Sequence, residues 1–311
     1  MTDQSDSLST ASVAPVRAEL PDSDPRTKLR SNVLDALAAL PFYFTSTINI
    51  EGLDAADLFS LNTLLGGAIE IQTVETLNRL RDVWDPDDEW QEYGFQRFSQ
   101  SFPDVRLVKQ SDVTLPVLGI ELKGWYLLSK EAEPSFRYTA NASACSPWDL
   151  IVVVPWTLSN VLSGTPRAHK PFVEQAGYAA HMRTYYWKHA RGGNAASRNS
   201  EIIMATVDAP YPPAGTQISD RPVQDSGKNF GRVARVKGLM DEWKDEQLDM
   251  NVSGIPARQW IRFLAAFSET PDPEAVAVKV QAMLKKGIVN LTNEQAERIV
   301  ALLEELGGLM S

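Results

Sequence analysis

The sequence is poor in cysteine, with Cys145 as the one residue of this type among 311. A single thiol excludes an internal disulfide framework and a zinc site built from several cysteines. Proteins without disulfides are typical of reducing compartments. We therefore expect a cytoplasmic location.

Long hydrophobic runs are also missing, because no apolar stretch approaches the length that spans a membrane. Residues 1–26 are rich in Ser, Asp and Pro and lack the apolar segment of a secretion signal. We predict that this segment is disordered. Because apolar runs of membrane-spanning length are missing, we expect no membrane as a partner. The sequence also contains no Walker A loop, so we expect no nucleotide cofactor.

Positive charge is scarce overall but is concentrated in one region. The net charge of −10 argues against a general affinity for nucleic acid. Residues 167–237, however, contain 11 Lys or Arg and 5 Asp or Glu, a local net charge of +6 that leaves −16 on the remainder. This distribution indicates either one site for an anionic ligand or an ordinary fluctuation of charge.

Strand-like segments dominate the middle of the chain. Short strands are predicted at 94–99, 104–109 and 117–128, and the β-branched run 149–156 is typical of a central strand buried on both faces. A helix at 172–191 and a buried strand at 201–207 would then form a right-handed parallel crossover. The predicted fold is α/β, with a mixed central sheet flanked by helices.

Helical patterns precede and follow these strands. Residues 54–83 form an approximate helical stripe that Gly66 and Gly67 either interrupt or use for a close packing contact. The Pro- and Gly-rich segment 208–227 is predicted to be a long loop, functional or disordered. Further helices are predicted at 230–248 and 256–267. A last apolar stripe comprises Ala296, Ile299, Val300, Leu303 and Leu306.

The segment 119–125 carries two charged residues within an apolar strand. Alternation along a strand places Glu121 and Lys123 on one face and Ile120 and Leu122 on the other. If this stretch folds as an antiparallel hairpin centred between Asp112 and Val113, Asp104 lies directly opposite Glu121, since both are equally far from that point. Asp112 would lie at the turn and is rejected as a partner for Glu121.

Two adjacent carboxylates and a lysine suit metal-assisted hydrolysis. The carboxylates of Asp104 and Glu121 would repel each other unless a divalent cation lay between them. Oxygen ligands, including the Leu122 carbonyl, favour Mg²⁺, with Mn²⁺ as a substitute. The Lys123 ammonium would orient a water molecule and neutralise charge on a phosphate. The alternative for a Glu-x-Lys pattern is a surface ion pair.

The residues Pro103–Asp104 followed by Glu121–Leu122–Lys123 resemble the PD-(D/E)XK nuclease superfamily, which includes many type II restriction endonucleases. The resemblance covers residues 66–207 and implies a restriction-endonuclease-like core with the order helix, three strands, helix, strand. It implies that Asp104 and Glu121 bind Mg²⁺ while Lys123 assists the attacking water. It also implies an acidic residue from the preceding helix, either Glu70, which is favoured, or Glu75.

One segment departs from the pattern of that superfamily. Residues 130–148 separate the Glu121–Lys123 strand from the next strand, and the minimal core of the superfamily has no such long insertion. The segment is either a loop that contacts substrate or an ordinary surface excursion.

Basic and polar residues of the positive region are candidates for DNA contact. The candidate residues are Arg183, Lys188, Arg191, Arg198, Asn199, Lys228, Arg232, Arg235 and Lys237. Neighbouring aromatic residues, Tyr185 to Trp187, either stack on bases or belong to the core. For the basic side chains, the alternative is a solvated helix face.

The predicted organisation is a disordered segment 1–26, a nuclease domain 27–268 and a C-terminal helical extension 269–311. The function indicated is a Mg²⁺-dependent endonuclease that recognises a specific double-stranded DNA sequence, as a homodimer. Residues 296–306 are a candidate dimer interface, or else pack on their own domain. Two alternatives are a repair or recombination nuclease and an inactive DNA-binding module.

Overall fold

A computed structural model describes residues 13–53, 57–98, 101–192, 199–225 and 227–269. Within these ranges no helix has the length and apolar character needed to cross a membrane. The predicted apolar stripe of the C-terminal extension lies outside the described residues.

A mixed β-sheet forms the centre of the protein. Strands β1 (Tyr93–Arg97), β2 (Val105–Lys109) and β3 (Leu118–Tyr126) form an antiparallel meander. Strand β4 (Leu150–Leu158) pairs with β3 in parallel, from Ile120 opposite Leu150 to Tyr126 opposite Trp156. The four predicted strands are therefore present close to their expected positions.

Strand β4 is the most buried element of the sheet, as its run of apolar residues predicts. All nine of its residues are buried. Its second edge pairs antiparallel with β5 (Pro166–Ala168) and β6 (Phe172–Gln175). A strand covered on both faces and paired on both edges needs no polar side chain, which explains the uninterrupted apolar sequence.

The predicted parallel crossover, from the strand at 149–156 through the helix at 172–191 to a strand at 201–207, is wrong because residues 201–207 contribute no strand to the main sheet. The parallel neighbours in this sheet are β3 and β4, and the chain passes between them through residues 127–149, which contain no α-helix and contribute Phe136, Tyr138 and Trp148 to the core. Residues 130–148 thus belong to the connection between β3 and β4 and are partly buried in the core, while a contact of this segment with substrate stays a prediction.

The predicted buried strand at 201–207 is also wrong. Only β7 (Ile202–Ile203) is extended, and it pairs with β8 (Arg221–Pro222) in a separate two-stranded sheet. Ile203 is 54% exposed, and its strand lies outside the main sheet. The predicted helix at 172–191 begins as β6, and α4 covers only Ala176–Tyr185, followed by a short π-helix to Ala190.

Helices cover both faces of the sheet. Helix α1 (Pro25–Tyr43) packs with the face that carries Ile120, Leu122 and Val152. Helix α4 packs with the opposite face, near Ile151. The α/β class with a mixed sheet flanked by helices is therefore confirmed, although the order of elements differs from that implied by the resemblance.

Helix α1 is absent from the predicted elements, although its signals are present in the sequence. The Asp24 side chain accepts a hydrogen bond from the Arg26 N–H, and Pro25 occupies the first turn. Arg17 forms an ion pair with Glu174 at 2.6 Å. The expected disorder up to residue 26 therefore does not hold for its later part, while residues 1–12 lie outside the described chain.

Helix α2 (Leu61–Arg79) runs without a break through its two glycines and is followed by α3 (Arg81–Trp84). A Cβ on Gly124 of β3 would lie 3.4 Å from the Gly66 carbonyl oxygen. The close approach is made possible by Gly124, whereas a Cβ at Gly66 or Gly67 would meet nothing within 4 Å. The glycine pair therefore neither interrupts the helix nor provides the space for this contact. This contact brings α2 to the end of β3 that carries Lys123.

The last described elements are helical. Helix α5 (Asp241–Asp249) is joined to α6 (Ala257–Glu269) by the hairpin of β9 (Asn251–Val252) and β10 (Ile255–Pro256). The predicted helix at 230–248 is present only in its second half. Residues 227–240 consist of turns and one 3₁₀ turn, Val233–Arg235.

The packing around Gly119 generates a prediction about stability. A Cβ at Gly119 would lie 2.4 Å from Pro103 Cγ and 3.0 Å from Asp149 Oδ1. We expect Gly119→Ala to lower the free energy of unfolding by about 2 kcal/mol, as overpacking of a core does. Gly177→Ala in α4, where a Cβ meets nothing within 4 Å, is the control and should leave stability unchanged or raise it. Urea denaturation measures both, and equal stabilities would contradict the packing described.

Candidate active site

The β2–β3 hairpin has the register that the sequence predicts. Val105 lies opposite Ile120 and Leu107 opposite Leu118, which places Asp104 opposite Glu121. The backbone N–H of Asp104 donates a hydrogen bond to Glu121 Oε2 at 3.3 Å. The two carboxylates therefore meet where β2 begins.

Alternation along β3 separates the charged side chains from the core as expected. Ile120 and Leu122 are 1% and 3% exposed and belong to the core cluster that includes α1. Glu121 and Lys123 are half-buried, on the opposite face. This pattern brings the carboxylate and the ammonium together beside Asp104.

The backbone of Leu122 faces the same edge of the strand as Asp104. A hydrogen bond from the Leu122 backbone reaches the Asp104 carboxylate. In a β-strand the N–H and the C=O of one residue point to the same edge. The Leu122 carbonyl is therefore directed to the edge where Asp104 lies, as its assignment as a third oxygen ligand requires.

Burial and mutual repulsion act on both carboxyl groups. Burial, together with repulsion from Asp104, raises the pKa of Glu121 to about 8. Burial and repulsion from Glu70 raise the pKa of Asp104 to about 6. Lys123 opposes both effects, since its charge lowers both pKa values. The site is thus short of positive charge.

Glu70, rather than Glu75, extends from α2 into this group. Glu70 Oε1 accepts hydrogen bonds from Lys123 Nζ and from the Gly124 N–H, each at 3.4 Å. Its other oxygen, Oε2, forms an ion pair with Arg97 at 3.0 Å. Glu75 is exposed on the same helix.

Arg97 is a member of this group that the sequence reasoning missed. It lies in β1 opposite Val105, one residue after Asp104, so the register of β1 and β2 brings it to the same end of the sheet. A second hairpin constructed from the sequence would have found it. Its charge lowers the pKa of Asp104 and balances Glu70.

The donor set fits a hard divalent cation with few protein ligands. Neither Asp104 nor Glu121 forms an ion pair with another described residue. In the described ranges no group of three or more His, Cys, Asp or Glu side chains lies close enough to hold a metal ion. Two carboxylates and a carbonyl remain as ligands, and Mg²⁺ usually keeps several waters.

Arg183 has a structural position that rules out the predicted DNA contact. Its side chain is 2% exposed and forms an ion pair with Asp220 at 2.5 Å. It also donates hydrogen bonds to the carbonyls of Tyr138 and Ala140. A guanidinium with these internal partners holds α4 to the β3–β4 connection and does not reach a phosphate.

Several other predicted DNA-binding residues surround a cavity of about 470 Å³, called the arginine cavity below. Its wall includes Arg191, Asn199, Arg232 and Arg235, as well as part of Arg183. Lys188, Lys228 and Lys237 are exposed outside it. Arg198 lies outside the described residues. The predicted basic surface is therefore partly a concave site.

Comparisons of the chain with protein-family models, with curated proteins and with solved structures gave no significant match. The chemistry of the site is therefore inferred from its geometry alone. That geometry combines two facing carboxylates, a lysine on the same face and a third carboxylate from a helix.

The raised pKa values predict how stability changes with pH in the metal-free protein. The folded state favours the protonated form of both carboxyl groups. Their contribution to the free energy of unfolding is therefore complete below their ordinary pKa values, 4.5 for Glu121 and 3.8 for Asp104. It is lost as the pH rises through about 6 and then about 8. We expect Glu121→Gln to be the more stable protein at pH 8, by about 1 kcal/mol or more, since a difference of one in pKa corresponds to about 1.4 kcal/mol.

Urea denaturation between pH 4 and 8 in the presence of EDTA measures this difference. Glu92→Gln is the matched control, because Glu92 is 69% exposed and pairs only with Lys109 at the surface. The free energy of unfolding of Glu92→Gln should change with pH in the same way as that of the wild type. A parallel profile for Glu121→Gln as well would show that Glu121 and Asp104 do not repel each other.

Proposed function

We propose that this chain is a metal-dependent DNA endonuclease of the PD-(D/E)XK type, most closely comparable in role to type II restriction enzymes. The observation that carries the proposal is the hairpin register, which places Asp104 opposite Glu121 with Lys123 on the same face. Contact between Glu70 and Lys123 supports it, since the resemblance implies an acidic residue from the preceding helix.

Asp104, Glu121 and the Leu122 carbonyl would hold Mg²⁺. A bound Mg²⁺ polarises a phosphoryl oxygen and lowers the pKa of a bound water. Lys123, whose side chain is 33% exposed, reaches solvent beside them. Its ammonium donates a hydrogen bond to the attacking water or to a phosphate oxygen.

Hydrolysis transfers the water oxygen to phosphorus and breaks the bond to the 3′ oxygen, leaving a 5′ phosphate and a 3′ hydroxyl. Glu70 positions Lys123 by accepting a hydrogen bond from Nζ. Arg97 in turn pairs with Glu70 and keeps a positive charge near the phosphate. These two residues act on the reaction through Lys123 and through the local field.

The proposed substrate is double-stranded DNA. Cutting both strands requires two active sites, so we propose that the chain acts as a homodimer. A structure- or end-directed repair nuclease remains the second candidate. The concave arginine cavity favours this second candidate, because a concave site fits the end of a DNA strand better than the side of a duplex.

Two substitutions test the catalytic assignment. We expect Asp104→Asn and Lys123→Ala each to reduce the rate of plasmid cleavage in Mg²⁺ by about 100-fold or more, because each removes a group that acts on the developing charge. DNA binding should remain. Asp112→Asn and Lys109→Ala, at the far end of the same hairpin, are the matched controls and should cut at the wild-type rate.

Cleavage products separate the candidate functions. Discrete bands indicate a site-specific enzyme, whereas a smear indicates an unspecific or structure-directed nuclease. Binding without any cleavage by the wild type identifies an inactive module. Wild-type rates for both Asp104→Asn and Lys123→Ala would refute the catalytic site itself.

A further inference from the structure

The arginine cavity lies apart from the candidate active site. None of Asp104, Glu121, Lys123 or Glu70 lines it. Its wall is formed by the end of α4, the following π-helix, and residues 224–225 and 229–236. A volume of about 470 Å³ lies in the range of pockets that hold small organic ligands.

An internal carboxylate already occupies an anion-binding position beside this cavity. Glu133 Oε1 lies 2.5 Å from one guanidinium nitrogen of Arg235 and 3.6 Å from Arg232 Nη1. Arg235 also donates to Glu133 through Nε at 2.6 Å. Two guanidinium groups that converge on one oxyanion form the geometry that binds a phosphate.

Arg232 has the greatest capacity for an additional anion. Among the described residues its guanidinium makes only the long ion pair with Glu133, and its side chain is 31% exposed. Arg191 also lines the cavity, with its guanidinium stacked 3.5 Å from the centre of the Trp187 ring and donating a hydrogen bond to the Asn199 carbonyl at 2.6 Å. Stacking holds the guanidinium plane in place for a ligand.

The rest of the wall suits a nucleoside better than a bare anion. Gln224 supplies an amide group that both donates and accepts hydrogen bonds, as the edges of bases require, while the amide oxygens of Asn199 and Asn229 already accept from the Glu201 N–H and from Arg235. The Asp225 carboxylate also lines the cavity and accepts from the N–H groups of Asn229 and Phe230. Tyr186, which is half-buried, supplies an aromatic ring. Guanidinium, amide and aromatic groups together match the phosphate and the base of one nucleotide.

We propose that the arginine cavity binds a single nucleoside phosphate, with Arg232 and Arg191 on the phosphate. The ligand is either a free nucleotide or the phosphorylated end of a DNA strand, which present the same chemistry. Glu133 competes with the phosphate for Arg232 and Arg235. The choice of a nucleotide rests in part on the proposed function, but binding here requires neither the metal nor the catalytic carboxylates.

Calorimetric titration of the full chain in EDTA tests this site. We expect deoxyadenosine 5′-monophosphate to bind more tightly than deoxyadenosine or inorganic phosphate alone. Arg232→Gln should weaken binding about tenfold or more, because it removes a charge-assisted hydrogen bond. Arg167→Gln is the matched control, since Arg167 is exposed in the same positive region and does not line the cavity.

Glu133→Gln provides a change in the opposite direction. It removes the competing carboxylate, so the nucleotide should bind more tightly than to the wild type. A misfolded variant cannot produce this gain, and therefore the pair of variants separates a loss of binding from a loss of structure.

The two sources of the ligand are distinguished with a short single-stranded oligonucleotide. Tighter binding with a 5′ phosphate than with a 5′ hydroxyl, and tighter than for the mononucleotide, supports a strand end. Equal or tighter binding of the mononucleotide supports a free nucleotide.

Equal affinities for Arg232→Gln and Arg167→Gln would overturn the proposal. So would binding of inorganic phosphate as tight as that of the nucleotide. Plasmid cleavage without nucleotide binding refutes this inference alone, whereas nucleotide binding without cleavage refutes the nuclease and leaves the cavity assigned.

Discussion

The register of the β2–β3 hairpin is the constraint on which the candidate site depends. It brings Asp104 and Glu121 together, and the alternation of β3 adds Lys123 to the same face while Ile120 and Leu122 enter the core. A slip of one residue would exchange these faces and bury both charges of β3 in an apolar cluster. The burial of Ile120 and Leu122 therefore stabilises the register, and the register fixes the chemistry. The raised pKa values of the two carboxyl groups are the electrostatic cost of this arrangement.

Local patterns were sufficient to predict the part of the fold that carries this hairpin. Strands β1 to β4 follow from alternation and from one β-branched run, and the pairing of Asp104 with Glu121 follows from counting residues to a midpoint. Glu70 was identified from its place in the resemblance, and the structure brings it to Lys123. To predict Arg97, the β1–β2 hairpin would also have had to be built from the sequence, because its register places Arg97 opposite Val105.

The failures have a common physical cause, because a local pattern does not reveal which surface covers a segment. Residues 201–207 have the composition of a buried strand, but Ile202 and Ile203 pair in a separate two-stranded sheet, and Ile203 and Met204 are exposed. Arg183 looks like a basic helix residue, but Asp220, distant in sequence, neutralises it in the interior. The connection from β3 to β4 was interpreted as either a substrate loop or a surface excursion, yet it contributes several side chains, including Phe136 and Tyr138, to the core. Each outcome depends on tertiary partners that sequence spacing does not specify.

The segment that departs most from the resemblance is also the one that links the two sites. Tyr138, in the β3–β4 connection, packs near Phe102, with ring centres 6.1 Å apart, two residues from Asp104. Its N–H donates to the Gly231 carbonyl, beside Arg232, and its own carbonyl accepts a hydrogen bond from Arg183. The same connection supplies Glu133 to Arg232 and Arg235. The connection does not itself line the arginine cavity, but it contacts residues of the cavity wall, Arg183, Gly231, Arg232 and Arg235. Because close-packed interiors deform little, these contacts hold the cavity at a fixed place relative to the carboxylates.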